Sequence, residues 1–452
     1  MNTATQQPVN SFTLSGVSEN ALAKRKTNIA LIRKGIWLYF ILLLTEGALR
    51  KWVVPGLATP LLVVRDPLAV WLVVMAWKNE EMPMNWYIKT IWFVGFAGMF
   101  TALSVGHGNI EVALYGARIL FLHFPLMFLM GRFFNREDVL YMGKVFLWLS
   151  LPMLVLITIQ FYSPQSSFIN RGVGGDMAGA GFAGALGYFR PPGVFSFTTG
   201  NTQFWSFVQI FVVYFWFSPK EVPRWLLIAA TACTIASIPL SISRTLVFQA
   251  VLTIAFVAVP IARKPVYLVR MLAALSGLII ILALLNNVSF FKQATEALTT
   301  RVDDAGATEG GLQGTIGERF FGGMLDAVTS SDQPFFGYGI GAGTNVGARL
   351  ITGEVTFLFA EQEWGRLIGE LGTVLGLTVI FVRTHMCVRL LAAAYRRIRF
   401  GDLLPWMLLS LGFLTLLQGQ WGQPTSLGFS TIIGGLMLSS LRRNKISVLD
   451  IT

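Results

Sequence analysis

A small set of charged residues in an otherwise apolar chain has the types and spacing to do chemistry. Arg190 in "YFRPPGVFSF" precedes Pro191, Pro192 and Gly193, a stiff turn that fixes where the guanidinium points. Arg244 lies in "SIPLSISRTLVF", a tight turn between two apolar runs. Burying it unpaired at mid-membrane costs roughly 2.5 kcal/mol or more, so it either reaches water or meets a negative partner. Ser241, Ser243 and Thr245 offer hydroxyls beside it but no charge, which makes a negative ligand a fitting partner. A helix is expected over "GTIGERFFGGMLDAVTSS" (314–331), with Ile316, Phe320, Met324 and Val328 on one face and Arg319, Gly322, Gly323 and Asp326 opposite. In "GYGIGAG" (337–343), Gly339 and Gly341 permit a tight backbone path over a pocket. "AEQEWGRLIGELGTVLG" follows, in which Glu363, Arg366 and Glu370 share a helix face at i, i+3 and i+7. Glu361 falls on the other side, in line with Gly365, Gly372 and Gly376, a small-residue stripe expected to pack closely against another helix.

Arginine forks pair bidentately with phosphate oxygens and stay charged, which suits a diphosphate leaving group. A carboxylate in an apolar setting can accept a proton from a hydroxyl. Each feature also has an ordinary reading. Arg190 could snorkel to lipid headgroups, the 314–331 helix could lie on the membrane with a solvated face, and Glu361 could serve the dipole at a helix start.

The elements that must position these residues are set by composition. The 452-residue chain is 54% hydrophobic and only 13% charged, against roughly 25% charged for a soluble domain. Apolar runs of about 20 residues recur, long enough to cross a ~30 Å hydrocarbon core. The reading is an all-α polytopic membrane protein. Twelve spans are expected, at 34–53, 57–77, 87–105, 112–131, 139–162, 201–218, 224–241, 245–262, 266–286, 362–384, 403–418 and 424–441, or eleven if the second is re-entrant. With both termini inside, the pairs near 24–34, RFFNR at 132–136, the RKPVYLVR stretch at 263–270, RRIR at 396–399 and the terminal RRNK all fall on the cytoplasmic side, where Lys and Arg concentrate. Residues 1–33 then form a cytoplasmic tail, 34–441 one transmembrane domain, and 442–452 a second tail. The two long loops, 163–200 and 287–361, lie outside, the second containing short helices.

Other classes are disfavoured. The net charge of +12 suits cytoplasmic loops and brings no aromatic-interleaved groove for nucleic acid. No Gly-Lys-Ser/Thr loop for ATP is present, and "GYGIGAG" lacks the strand–helix unit of a dinucleotide site. Cys233 and Cys387, without Cys-x-x-Cys spacing, read as small core residues. No internal repeat appears, unlike transporters built from duplicated halves. Glu46, Arg50, Arg65, Asp66 and Arg118 fall inside apolar runs and read either as buried pairs or as a transport path.

The ordered set "RPPGVFSFTTGNTQF", "SISRT", "GERFFGGMLDAVTSSDQPFFGYGIGAG" and "AEQEWGRLIGELGTVLG" resembles the bacterial O-antigen ligase and O-antigen polymerase family over roughly residues 140 to 440. The segment "EGALRKWVVPGLATPLLVVRDP" lies outside that pattern. The resemblance implies a glycosyltransferase in the bacterial cytoplasmic (inner) membrane, acting on its outer face. It would move a glycan from an undecaprenyl-diphosphate-linked donor to a glycan or lipid A-core acceptor, with no cofactor and no metal. Arg190 and Arg244 match the family's phosphate-binding positions, and Arg319 a loop arginine. The family's last motif opens with His, and counting back from Glu370 and Gly372 places Glu361 there, with Gln362 next and Trp364 as the aromatic. Glutamate in place of histidine leaves Glu361 and Glu363 as candidate bases, supported by Gln362, Arg366, Glu370, Gly339 and Gly341. The alternative is a flippase for lipid-linked oligosaccharides, using the same arginines without chemistry.

Overall fold

A computed structural model of the protein describes residues 19–263, 289–309, 334–353 and 362–442, with 269, 276 and 329. Most of the expected span at 266–286, most of the helix at 314–331 with Arg319, residue Glu361, and most of both tails lie outside the described residues.

The described chain is helical, and its extended backbone amounts to one isolated bridge, Ala183 to Phe189. The helices are α1 (Glu19–Ala48), α2 (Arg65–Lys78), α3 (Trp86–Ser104), α4 (Ile110–Phe133), α5 (Arg136–Tyr162), α6 (Thr198–Phe217), α7 (Arg224–Leu240), α8 (Arg244–Arg263), α9 (Ser289–Glu309), α10 (Asn345–Thr352), α11 (Glu363–Ile398), α12 (Leu404–Gln418) and α13 (Pro424–Leu441). Among the described residues seven helical runs are long and apolar enough to cross a membrane: α1, α2 with the short turns before it, α3, α4, α5, α8 and α11. The chain is an α-helical membrane protein. α7 and α12 are apolar but shorter. α6 and α13 are buried on nearly every face, as expected of helices at the centre of a bundle.

Local chemistry sets the helix starts. Asn85, Asn109 and Asn135 each precede a helix and accept from its first free amides: Ile88 N, then Glu111 N and Val112 N, then Asp138 N. Asp138 returns the bond to the Asn135 amide, closing a capping box. Two helices contain a π-helical turn, Leu49–Val53 after α1 and Ile119–His123 within α4. The second matters for packing, because a wider turn brings Arg118 and His123, five residues apart, onto one carboxylate, Asp66.

Hydrogen bonds sort the connections into two ends of the bundle. At one end Glu81 takes both Arg25 and Arg132, Arg33 meets Asp138 at 2.5 Å, and Arg136 meets Asp402 at 2.6 Å. Burial alone would raise the Glu81 carboxyl, but hydrogen bonds from the two arginines outweigh it and hold the group below its ordinary value. At the other end Trp52 Nε1 donates to Phe168 O (3.1 Å), and the Gly174 amide donates to Arg50 O (3.1 Å).

One glycine of the stripe expected to be a packing face, Gly372, has φ +73° and breaks α11. The carbonyls this frees are taken by the glycine-rich loop: Tyr338 N donates to Gly369 O (2.7 Å) and Gly339 N to Glu370 O (2.9 Å). The fit is close, since a Cβ on Gly372 would sit 2.1 Å from Phe335 O. Replacing Gly372 by Ala should therefore cost about 2 kcal/mol or more, by left-handed strain and by the clash. Thermal unfolding in detergent checks this, and an unchanged midpoint would mean that the break is not required.

Candidate functional site

The two groups of polar residues singled out by the sequence differ in kind. Around Glu363 every charge is matched. Glu363 accepts from Arg366 Nη2 (2.9 Å) and Nε (3.0 Å), from Arg383 Nη1 (2.7 Å) and from the Trp421 amide (3.1 Å). Arg366 Nη1 reaches Glu370 at 2.7 Å, as the i, i+3, i+7 spacing predicts, and Glu370 also accepts from Gly343 N (2.9 Å). Arg383 is fully buried, donates to Leu416 O and Gly419 O, and lies over the Trp421 ring at 3.8 Å. Two arginines and two glutamates balance, and the four bonds fill the acceptor sites of Glu363. Glu363 thus ties the start of α11 to Arg383 on the same helix and to the loop after α12. It has no acceptor site left for a substrate hydroxyl. Gln362 takes the N-cap position of α11 beside it. Gly339 and Gly341 have φ +108° and +92°, and their loop rests on α11 and α4.

Arg190 and Arg244 belong to a different arrangement. Asn201, in the first turn of α6, donates from Nδ2 to Pro191 O (3.0 Å) and to Ser241 Oγ (3.2 Å). One residue further, Thr202 Oγ1 meets Ser243 Oγ (3.0 Å). The turn after Arg190 and the turn before Arg244 are thereby bolted to the same helix start. The chain before Arg190 doubles back: Arg190 N donates to Phe182 O (2.8 Å) and Gly184 N to Tyr188 O (3.0 Å). α9 clamps this doubled strand, with Arg301 Nη1 donating to Ala183 O (2.9 Å) and Gly184 O (3.0 Å), and Tyr188 Oη donating to Gln293 Oε1 (3.1 Å).

Arg190, Arg244 and Arg301 are half-buried and within electrostatic reach of one another. Burial pushes the Arg190 guanidinium down to about 10, and Arg301 and then Arg244 add to the effect. Arg301 is lowered by burial and by Arg244. Neither Arg190 nor Arg301 pairs with a carboxylate among the described residues, and Arg190 Nε is buried without a hydrogen-bond partner there. Three like charges held together by backbone tethers favour an anion between them.

Arg301 and Arg383 were not singled out by the sequence. Arg383 was legible as a lone charge in an apolar run, whereas Arg301 sits in the polar stretch "TTRVDD" and carries no local signal. The intramembrane charges of the first spans form pairs: Arg65 to Glu46 (3.1 Å), Arg50 to Glu46 (3.4 Å), and Arg118 to both oxygens of Asp66 (2.8 Å each). Tyr39 and His123 link the two carboxylate centres, through Tyr39 Oη to His123 Nδ1 (2.8 Å) and His123 Nε2 to Asp66 (2.9 Å). Among the described residues no group of three His, Cys, Asp or Glu is placed to hold a metal ion. No protein-family model, curated protein or solved structure significantly matches the chain.

Removing one partner from a buried ion pair strands the other, at about 3–5 kcal/mol. Arg383→Met should destabilise the protein by that order, and adding Glu363→Gln should cost less than the sum of the two single changes. Additive losses in thermal unfolding would mean that the two side chains are not energetically coupled.

Proposed function

We propose that the protein is a membrane glycosyltransferase of the O-antigen ligase or polymerase kind. In this reading it moves a glycan from an undecaprenyl-diphosphate-linked saccharide to an acceptor hydroxyl at the outer face of the bacterial cytoplasmic membrane. The observation that carries it is the double tether of Asn201, which holds the turns of Arg190 and Arg244 together with Arg301 close by. Guanidiniums carried on turns tethered to one helix start, with no carboxylate on Arg190 or Arg301 among the described residues, suit a diphosphate better than a transient headgroup contact.

The chemistry follows. The acceptor oxygen attacks the anomeric carbon, the bond from that carbon to the diphosphate oxygen breaks, and the diphosphate leaves with the electron pair. Arg190 and Arg244 stabilise the charge that develops on it, with Arg319 as a further loop arginine. The acceptor proton passes to a carboxylate. Glu363 is saturated by two arginines and an amide, so Glu361 is the proposed base, two residues earlier. Twelve spans with both termini cytoplasmic fit the sorting of connections into two ends. The loop 163–200 and the turn at Arg244 share one end, and the basic segments around 25, 132–136 and 397–402 share the other.

Three outcomes are expected. Arg190→Ala and Arg244→Ala each abolish transfer while the protein still inserts, and Lys at either position restores only part of it, since an ammonium cannot reproduce the fork. Glu361→Gln lowers turnover by roughly 10²–10⁴-fold with donor binding intact. Reporter fusions at Gly179 read as extracytoplasmic and those at Gly401 as cytoplasmic. The direct test incubates purified protein with a lipid-diphosphate oligosaccharide. Longer lipid-linked glycans identify a polymerase, and glycan on lipid A core or protein a ligase. No product, with the lipid instead moved across vesicles, overturns the reading in favour of a flippase.

A further inference from the structure

Lys51 is 1% exposed, at the end of α1 where the helix widens into its π turn. Among the described residues its ammonium donates to one atom, Gly193 O, at 2.7 Å, and it lies 4.3 Å from the centre of the adjacent Trp52 ring. No carboxylate pairs with it among the described residues. Taking an ammonium out of water costs several kcal/mol, and one carbonyl with one ring does not repay that. Such a group is a poor device for stability, so its place in the fold asks for another explanation.

Gly193 ends the turn that carries Arg190. Its φ of +61° is a left-handed conformation that suits glycine, and three bonds hold it there. Gln160 Oε1 accepts from its amide (2.8 Å), Gln160 Nε2 donates to its carbonyl (3.1 Å), and Lys51 donates to that same carbonyl. Two further contacts come from α1 and its continuation. Arg50 Nη1 donates to Ser196 Oγ (3.0 Å), and Gly47 passes so close that a Cβ there would sit 2.4 Å from Val194 O. The segment around Glu46–Lys51 is thus built against the turn at 193–196. Gly193 is three residues from Arg190, a chain reach of at most about 10 Å.

We propose that Lys51 is a positioning residue for the anion site: it fixes the Arg190 turn through Gly193 O and, in its protonated form, adds positive charge to the potential there, without touching the ligand. This rests on the reading of Arg190 and Arg244 as a diphosphate clamp. A protonated Lys51 about 10 Å from the anion would, with an effective dielectric constant of about 20, change its affinity by roughly tenfold.

The test measures pyrophosphate binding to the purified full chain, together with thermal unfolding, for wild type, Lys51→Met, Lys51→Gln, Lys51→Arg and Arg190→Ala. Lys51→Met should bind about tenfold or more weakly while its unfolding midpoint is unchanged or raised, because a costly buried charge has been removed. Lys51→Gln keeps a donor for Gly193 O and should recover only part of the affinity, and Lys51→Arg should recover most of it. Wild-type affinity in Lys51→Met overturns the proposal while leaving the clamp standing. Parallel loss of binding and stability, unrelieved by Lys51→Arg, makes Lys51 a purely structural residue and also overturns it. If wild type and Arg190→Ala bind pyrophosphate equally or not at all, the clamp itself falls, and this proposal with it.

Discussion

A buried cation must have a partner, and that constraint sorts the charged residues of this protein. Inside the bundle the guanidiniums of Arg65, Arg118, Arg366 and Arg383 each meet a carboxylate at 3.1 Å or less. These pairs offset the cost of desolvation that an apolar surrounding imposes. Arg190 and Arg301 have backbone tethers nearby but no carboxylate among the described residues, and Lys51 has one carbonyl. These three cations, without a carboxylate among the described residues, lie around the turn after Arg190, which Lys51 holds through Gly193 O and Arg301 approaches through Ala183 O and Gly184 O. Matched charge builds the scaffold, and the cations without carboxylates are the ones proposed to meet a ligand.

The scaffold pays attention to that place in its backbone too. The start of α6 spends its first free side chains on neighbouring turns, with Asn201 reaching Pro191 O and Ser241 Oγ and Thr202 reaching Ser243 Oγ. The N-terminal segment outside the family-like pattern is not a separate module, because Arg50 and Lys51 bind Ser196 and Gly193. At the other polar cluster, the break at Gly372 exposes two carbonyls that the glycine-rich loop fills. The loop and the acids are thus one packed unit, held by Arg366 between Glu363 and Glu370.

Much of the helical layout was legible because apolar runs must cover their backbone polar groups, and only helices do this span by span. The asparagine caps at 85, 109 and 135, which fix three helix starts in the structure, were not read from the sequence. The pairing of Arg366 followed from i, i+3, i+4 spacing. What stayed hidden depends on contacts far apart in sequence. Arg301 reaches Ala183 across 118 residues, and Lys51 reaches Gly193 across 142. The break at Gly372 was not legible within the glycine stripe of α11, because small residues serve helix contacts and helix breaks alike. The π turn that aligns Arg118 with His123 is likewise invisible to a 3.6-residue pattern.

The central claim is that Arg190 and Arg244 hold a diphosphate. An experimental structure of the protein in lipid nanodiscs with a prenyl-diphosphate saccharide tests this most directly. The expected result is density for the diphosphate within hydrogen-bonding distance of both guanidiniums, with the turns at Pro191 and Ser241 still joined through Asn201. Diphosphate density elsewhere in the bundle, or carboxylates pairing with both arginines in the bound state, would contradict it.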